Sequence, residues 1–142
     1  MKDSSLENAV VSKMFDHDAF SQWLGIERIA VKPGKVILRM EIKKEMLNGF
    51  DILHGGVTFS FADSALAFAA NSHGRKSVAL DASMSFTRSA KVGDILTATA
   101  EEAHLGNKVA VYNITIEDQN KEVIALFKGT VYRTSEKWDV TI

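Results

Sequence analysis

The longest apolar stretch of the chain, residues 57–70, restricts its fold most strongly. Only four polar residues interrupt it, namely Thr58, Ser60, Asp63 and Ser64. It is too short and too interrupted to cross a membrane, which takes roughly 18 consecutive apolar residues. At helical spacing its apolar side chains would cover most sides of a helix: Val57, Phe61, Ala65 and Phe68 one side, and Phe59, Ala62, Leu66 and Ala69 much of the rest. Since a helix that is apolar on most sides must be enclosed, other elements have to surround it.

Alternating sequences on both sides of this stretch predict the strands that enclose the helix. Residues 36–42 alternate with a period of two, and together with 26–31 across Pro33-Gly34 they predict a β-hairpin. Four candidate strands follow the helix, at 76–88, 95–104, 108–117 and 122–132. Their short connections imply antiparallel pairing. One enclosed helix with about six antiparallel strands is an α+β fold, a curved sheet wrapped around a helix.

The whole chain fits one globular domain, 1–142, with an N-terminal helical segment at 1–25. Within that segment, residues 6–24 predict one or two short amphipathic helices that end at Gly25. The N-terminus has no continuous apolar core and is no signal peptide, so we expect a cytoplasmic protein. A net charge of −1 without long Lys or Arg runs argues against nucleic-acid binding. The absence of cysteine excludes disulfides and cysteine nucleophiles.

Asp63 is the single carboxylate on the predicted helix. On an ideal helical wheel, the residues within about 60° of it are mostly small: Gly56, Phe59, Ser60, Ala67 and Ala70. An ionised carboxylate on a buried helix is costly unless it is paired. Proteins often keep such a group for chemistry, and burial raises its pKa. A structural carboxylate that caps a backbone or pairs with a Lys or Arg would explain the helix pattern equally well.

The pair Gly55-Gly56 marks the start of this helix. Backbone N–H groups in a first helical turn are free, and the helix dipole makes them a natural oxyanion site, although a tight turn would need the same glycines. Gly55 and Asp63 are eight residues apart, or roughly 12 Å along a helix axis, too far to act on one carbonyl carbon. Two antiparallel copies of the helix would bring Gly55 of one beside Asp63 of the other. An active site would therefore lie between the subunits of a dimer.

The segment from Asn48 to Asp63 reads N-G-x(4)-H-G-G-x(6)-D and is followed by Ala67. It resembles the hotdog-fold acyl-CoA thioesterases, in particular the PaaI-like subgroup of phenylacetate degradation. The resemblance extends loosely over nearly the whole chain, through the order hairpin, helix and four-strand meander. It implies a hotdog fold and the hydrolysis of aryl- or medium-acyl-CoA thioesters, such as those of the phenylacetyl-CoA type, to free acid and CoA.

The resemblance also implies a role for four catalytic residues. Asp63 matches the catalytic carboxylate, which acts as nucleophile or as general base toward water. The N–H of Gly55 polarises the thioester carbonyl. Asn48 lies near the thioester or the attacking water, and His54 shapes the loop and supports the substrate carbonyl.

Further positions are implied to bind substrate. Gly56 lies at the same helix end, and Ser64 and Ala67 lie where family members contact the acyl portion. Strand residues 82–88 match the strand that lines the coenzyme A groove, with Ser83 and Met84 in it. Arg88 and Lys91 would bind CoA phosphates, although a solvated strand end would carry such bases as well.

No metal or redox cofactor is predicted, since the four histidines lack a neighbouring carboxylate pattern, and coenzyme A is part of the substrate. The geometry requires a homodimer, and the resemblance suggests a homotetramer; neither nucleic acid nor membrane is an expected partner. Two other hotdog functions compete, and a third alternative is a purely structural or scaffold domain, in which Asp63 would be dispensable. A dehydratase or hydratase would need a His and an acid as a proton-transfer pair, whereas His54 and Asp63 are nine positions apart. A noncatalytic acyl-CoA sensor usually carries a basic DNA-binding helix, which the segment before Ile26 lacks.

Overall fold

The computed structural model describes residues 5–142, and residues 1–4 of the predicted N-terminal segment lie outside them. The described elements follow one another in the predicted order. They are α1 (Leu6–Asp16), α2 (Ala19–Trp23), β1 (Glu27–Lys32), β2 (Lys35–Glu41), a 3-10 turn (Lys44–Met46), α3 (Gly55–Asn71), β3 (Arg75–Phe86), β4 (Ile95–Leu105), β5 (Val109–Glu117) and β6 (Val123–Lys137).

The six strands form one antiparallel sheet in the order β1-β2-β4-β5-β6-β3. The predicted antiparallel pairing is confirmed, but the four-strand meander is wrong at its first connection, because β3 pairs with β6 and not with β4. The burial patterns explain this. β2 and the half of β4 that pairs with it bury every second residue and lie side by side inside the sheet, whereas most of β3 is exposed and occupies an edge. Pairing with β3 also extends β6 beyond its predicted end at 132.

Helix α3 packs against one face of this sheet and forms the centre of the core. Phe61 and Phe68 are fully buried, and burying such a side chain stabilises the fold by about 1.5–3 kcal/mol. Gly129 of β6 permits the close approach of the helix, because a Cβ there would lie 2.6 Å from Cδ2 of Leu66. The predicted enclosure of the helix is confirmed on its sheet side.

The N-terminal segment forms two helices that cover a flank of α3. Helix α1 begins after Ser5, whose hydroxyl accepts a hydrogen bond from the N–H of Asn8 at 3.3 Å. The ring of Phe15 in α1 meets Phe68 of α3 edge to face, with centroids 6.2 Å apart. The chain leaves α2 through Gly25 at φ +76°, as the sequence predicts. No helix in residues 5–142 is long and apolar enough to cross a membrane.

One stripe of α3 stays open. Gly56 and Asp63 are exposed on it, and Ser60 and Ala67 are half-buried. The expectation that Asp63 is buried holds only in part for a single chain, since its side chain is exposed on this stripe while its carboxyl group is partly buried. The face with the small side chains is the one that another molecule can approach.

Candidate active site

The loop before α3 is held by Asn48. Its Oδ1 accepts hydrogen bonds from the N–H groups of Phe50 at 2.8 Å and Ile52 at 3.4 Å. A β-bridge between Leu47 and Leu53 closes the loop at its base. Because Oδ1 is engaged inside the loop, Nδ2 is the group of Asn48 that is left to donate to a substrate or to water.

His54 caps the start of α3. Its Nδ1 accepts a hydrogen bond from the N–H of Gly56 at 2.9 Å. In a neutral ring the proton then resides on Nε2, and this exposed imidazole presents a donor to the outside. The bond also distinguishes the two predicted glycines. The N–H of Gly56 is engaged, whereas the N–H of Gly55 donates to no acceptor in residues 5–142 and lies at the positive end of the helix.

The ring of Phe86 lies directly against Gly55. A Cβ on Gly55 would be 3.2 Å from the Cε1 and Cζ atoms of that ring. Phe86 is 59% exposed and forms a wall of a groove of about 390 Å³ between the start of α3 and the end of β3. This groove is lined by Ile52, Leu53, Thr58, Phe86, Thr87, Arg88, Ser89, Ala90 and Ile124.

A second groove, of about 360 Å³, continues the first. The two share Ile52 and the segment 88–90, and the second extends past Lys91 to Asp94 and Asp118. Asp94 accepts hydrogen bonds from the N–H of Lys91 at 3.0 Å and from Nε2 of Gln119 at 2.9 Å. The structure thus brings Arg88 and Lys91 together at the polar end of a track that begins beside Gly55. Arg88 also forms an exposed ion pair with Glu122 at 3.4 Å.

Two predicted residues of β3 lie on opposite faces of the strand, as neighbours in a strand do. Met84 packs against the core on the helix side. Ser83 is exposed on the outer face, where it pairs with Lys128 of β6. The structure does not bring these two side chains into one groove.

The flank of α3 next to Asp63 is tied to helix α2. The Oγ of Ser64 lies 2.8 Å from the Oγ of Ser21, which donates a hydrogen bond to Oδ2 of Asp18 at 2.6 Å. Ser64 is therefore buried beneath α2, and Ala67 is the predicted acyl contact that lies on the open stripe. The same chain of hydrogen bonds holds the carboxylate of Asp18 beside Asp63.

Two effects change the acidity of Asp63. Partial burial of the carboxyl raises its pKa above the ordinary value for aspartate, and the negative charge of Asp18 raises the pKa further. A higher pKa makes the ionised form a stronger base. Sequence reasoning missed Asp18. Its side chain is recognisable as an N-cap of the short helix at Ala19, but its approach to Asp63 depends on tertiary packing.

Comparison with known proteins assigns this arrangement to a family. The model of the family described as the thioesterase superfamily matches residues 50–125, more than half of the chain. The chain belongs to the thioesterase superfamily. Acyl-coenzyme A thioesterase PaaI of Escherichia coli K12 is a similar thioesterase, 41% identical over 120 residues, which cover 84% of this chain and 86% of that protein.

Solved structures agree with this assignment. The E. coli PaaI protein from the phenylacetic acid degradation operon superposes with a TM-score of 0.90 at 38% identity, over 94% of this chain and 99% of that chain. The smu.793 protein of Streptococcus mutans UA159, solved bound to acetyl CoA, superposes with a TM-score of 0.77 at 26% identity, over 80% of this chain and 91% of that chain. The predicted family, hotdog fold and thioester hydrolase class are confirmed. The roles of the individual site residues stay predictions.

Proposed function

We propose that this thioesterase hydrolyses acyl-CoA thioesters with an aryl or medium-length acyl group, giving the free acid and CoA. The observation that carries the proposal is the N–H of Gly55, which has no acceptor in residues 5–142, at the start of the helix whose open stripe carries the carboxylate of Asp63. The name of the E. coli relative and the acetyl CoA bound to the S. mutans relative support a CoA thioester as the substrate.

The site needs a second copy of the chain. Gly55 and Asp63 of one chain are roughly 12 Å apart along the helix axis, so one chain cannot place both on the same thioester. Strand β3 offers the means of association, because its outer edge is unpaired within residues 5–142 and carries Val78 and Leu80, each 58% exposed. Unpaired apolar strand edges readily pair with another strand. Two β3 strands pairing antiparallel would set two α3 helices side by side, and two such dimers would form the homotetramer that the family resemblance implies.

In the proposed reaction, the thioester carbonyl accepts a hydrogen bond from the N–H of Gly55 at the positive end of α3, which stabilises the developing oxyanion. Asp63 of the facing copy either removes a proton from a water held by Nδ2 of Asn48 or attacks the carbonyl carbon itself. In both routes the C–S bond breaks and the CoA thiolate leaves; in the second, water then opens a mixed anhydride. Single-turnover hydrolysis in ¹⁸O-labelled water distinguishes the routes, because anhydride opening at the carbonyl of Asp63 would put unlabelled enzyme oxygen into the first product.

The two continuous grooves suit the remainder of the substrate. The first groove begins at Phe86, beside the proposed oxyanion donor, and would take the pantetheine arm. Arg88 lies where the two grooves meet and Lys91 lies in the polar groove, so CoA phosphates would lie near these two side chains. Both cations are exposed, so we expect their contribution to the binding of the CoA phosphates to weaken as the salt concentration rises.

The function is tested by measuring CoA release from a panel of acyl-CoAs of different length and shape. We expect hydrolysis of aryl and medium acyl substrates. Hydration of an enoyl-CoA without CoA release would point instead to a hydratase. Tight acyl-CoA binding without hydrolysis of any thioester would point to a sensor.

The role of the Gly55 N–H can be isolated with two substitutions. Gly55 is the first residue of α3, where proline is well tolerated, and His54 at ψ 131° has the extended backbone that precedes proline. Gly55→Pro removes the N–H, whereas Gly55→Ala keeps it and adds similar bulk near Phe86. Loss of one oxyanion donor costs about 10²–10³-fold in kcat. We expect Gly55→Pro to fall below Gly55→Ala by that factor, and equal rates for the two would exclude the N–H as the donor.

The charge of Asp18 should be visible in the pH dependence of hydrolysis. Activity requires ionised Asp63 and therefore rises with pH through the pKa of this group, which Asp18 helps to raise. Asp18→Asn keeps a side chain able to cap α2 but removes the charge. We expect the acid limb of the kcat/KM profile to move to lower pH, measured over several buffers at constant ionic strength. An unchanged limb would show that Asp18 has no influence on the catalytic group.

A further inference from the structure

The side chains of Arg88 and Glu122 form an ion pair where the two grooves meet. Nη1 of Arg88 lies 3.4 Å from Oε2 of Glu122, and both side chains are more than half exposed. Arg88 lines both grooves, whereas Glu122 approaches it from the turn between β5 and β6. A cation that is expected to lie near the CoA phosphates therefore already has an anionic partner within its own chain.

Hydrogen bonds fix the backbone on both sides of this ion pair. The N–H of Arg88 donates to the carbonyl oxygen of Ile124 at 3.3 Å. The N–H of Glu122 donates to Oδ1 of Asp118 at 3.0 Å, and the carbonyl oxygen of Glu122 accepts from the N–H of Asp118 at 3.0 Å. The backbone thus places the two charged side chains next to one another, just beyond the end of the β3–β6 pair.

Gln119 ties the turn that carries Glu122 to the turn between β3 and β4. Its Nε2 donates a hydrogen bond to Oδ1 of Asp94 at 2.9 Å, and its Oε1 accepts one from the N–H of Ile95 at 3.0 Å. The side-chain amide is thus engaged at both ends. Because a movement of the whole turn away from Arg88 would break these bonds, the carboxylate would leave the guanidinium by rotation of its own side chain.

Lys91, the other cation of the grooves, has no such partner. Its ammonium group forms no ion pair within residues 5–142. The oxygens of the neighbouring Asp94 are engaged by the N–H of Lys91 and by Gln119. Burial alone would raise the pKa of Asp94, but these hydrogen bonds and the charge of Lys91 hold the pKa below its ordinary value. Of the two cations, Arg88 is therefore the one with an ion-pair partner in the described part of the chain.

A phosphate that binds Arg88 must displace the carboxylate of Glu122 or lie beside its negative charge. Breaking an exposed ion pair of this kind shifts a binding equilibrium by up to about fivefold. The nucleotide is the same in an acyl-CoA substrate and in the CoA product, so the cost weakens the binding of both. Such uniform weakening raises KM and speeds the release of CoA without changing the chemical step.

We infer that Glu122 competes with the phosphates of CoA for Arg88 and thereby lowers the affinity of the site for substrate and product alike. The inference rests on the acyl-CoA thioesterase function proposed above, which would bring the CoA phosphates near Arg88. Free CoA then dissociates readily and inhibits the enzyme weakly. Removing the carboxylate should therefore strengthen binding, although the removal of one member of an ion pair at a binding site usually weakens it.

The test compares Glu122→Gln with Glu27→Gln. Glu27 forms an exposed ion pair with Arg39, also at 3.4 Å, and lies on β1 at the sheet edge opposite β3, so its replacement is the matched control. We expect Glu122→Gln to lower the inhibition constant of free CoA and the KM for acyl-CoA by about 2–5-fold at low ionic strength. Glu27→Gln should change neither constant. Equal constants in Glu122→Gln and the wild type would overturn the inference.

Two further measurements separate competition for Arg88 from a general effect of charge. An acyl thioester of pantetheine has no nucleotide, so its KM should not respond to Glu122→Gln. In an Arg88→Gln background, the effect of Glu122→Gln on inhibition by CoA should disappear, because the group for which the two anions compete is then absent. An effect of undiminished size in either case would contradict the competition.

Calorimetric titration with CoA keeps this test separate from the proposed function, because it needs no turnover. Tighter binding of CoA by Glu122→Gln, in a protein that hydrolyses no thioester, would contradict the proposed function and retain the competition. Hydrolysis of acyl-CoA by the wild type, together with equal affinity of the two proteins for CoA, would retain the function and overturn the inference.

Discussion

Replacing Asp63 with asparagine is expected to lower thioester hydrolysis by about 10²–10⁴-fold, the usual contribution of a positioned acid or base, and by more where the carboxylate is the nucleophile. Asparagine keeps the size of the side chain on the open stripe but can neither accept the proton of water at neutral pH nor form an anhydride. The measurement is CoA release under single-turnover conditions, so that slow product release does not hide the change.

This substitution should not weaken the fold. The pKa of Asp63 is higher in the folded protein than in the unfolded chain, so the ionised carboxylate opposes folding once the pH rises above its unfolded value. A neutral amide removes that cost, and we expect the free energy of unfolding of Asp63→Asn at neutral pH to be equal to or above that of the wild type. Asp16→Asn, on the exposed end of α1, serves as the matched control and should retain full activity. Full activity of Asp63→Asn would exclude the carboxylate from the reaction.

Local patterns were sufficient to predict most of the fold. The period of two in β2 and the apolar surround of α3 are properties of short segments, and both elements occur where these patterns predict them. The pairing of β3 was predicted wrongly because order along the chain suggested β4 as its neighbour. The information that decides the pairing is the largely exposed pattern of β3, which becomes interpretable only once the helix has covered one face of the sheet.

The candidate site likewise contains residues that the sequence identifies and residues that only the structure identifies. Asn48, His54, Gly55 and Asp63 belong to one continuous motif, so sequence alone singles them out. Asp18 is separated from Asp63 by many residues and reaches its surroundings through the contact between Ser21 and Ser64. No spacing rule connects such residues, because their proximity results from how α1 and α2 pack on α3. Asp18, which helps to raise the pKa of Asp63, is therefore a residue that only the three-dimensional structure identifies.

Preventing association of two chains is expected to abolish activity even though every predicted catalytic residue remains in place. The double substitution Val78→Lys/Leu80→Lys puts two charges on the free edge of β3, and lysine on an edge strand opposes pairing with another strand. Both native side chains are more than half exposed, so the change should cost the single chain little stability. In a monomer, the Gly55 N–H and the Asp63 carboxylate would be too far apart to act on the same thioester. We therefore expect hydrolysis to fall by at least about 10²-fold, the contribution of either group alone.

The opposite edge of the same sheet supplies the control. Ile29 of β1 is 49% exposed at the other end of the strand order, and Ile29→Lys adds the same kind of charge without touching β3. Analytical ultracentrifugation at the assay concentration determines the oligomeric state, and CoA release is measured on the same samples. The Ile29 variant should keep both the assembly and the activity of the wild type. Full turnover by a verified β3-edge monomer would mean that one chain completes the site. Gly55 and Asp63 of the same chain would then belong to one site, and the prediction would be wrong.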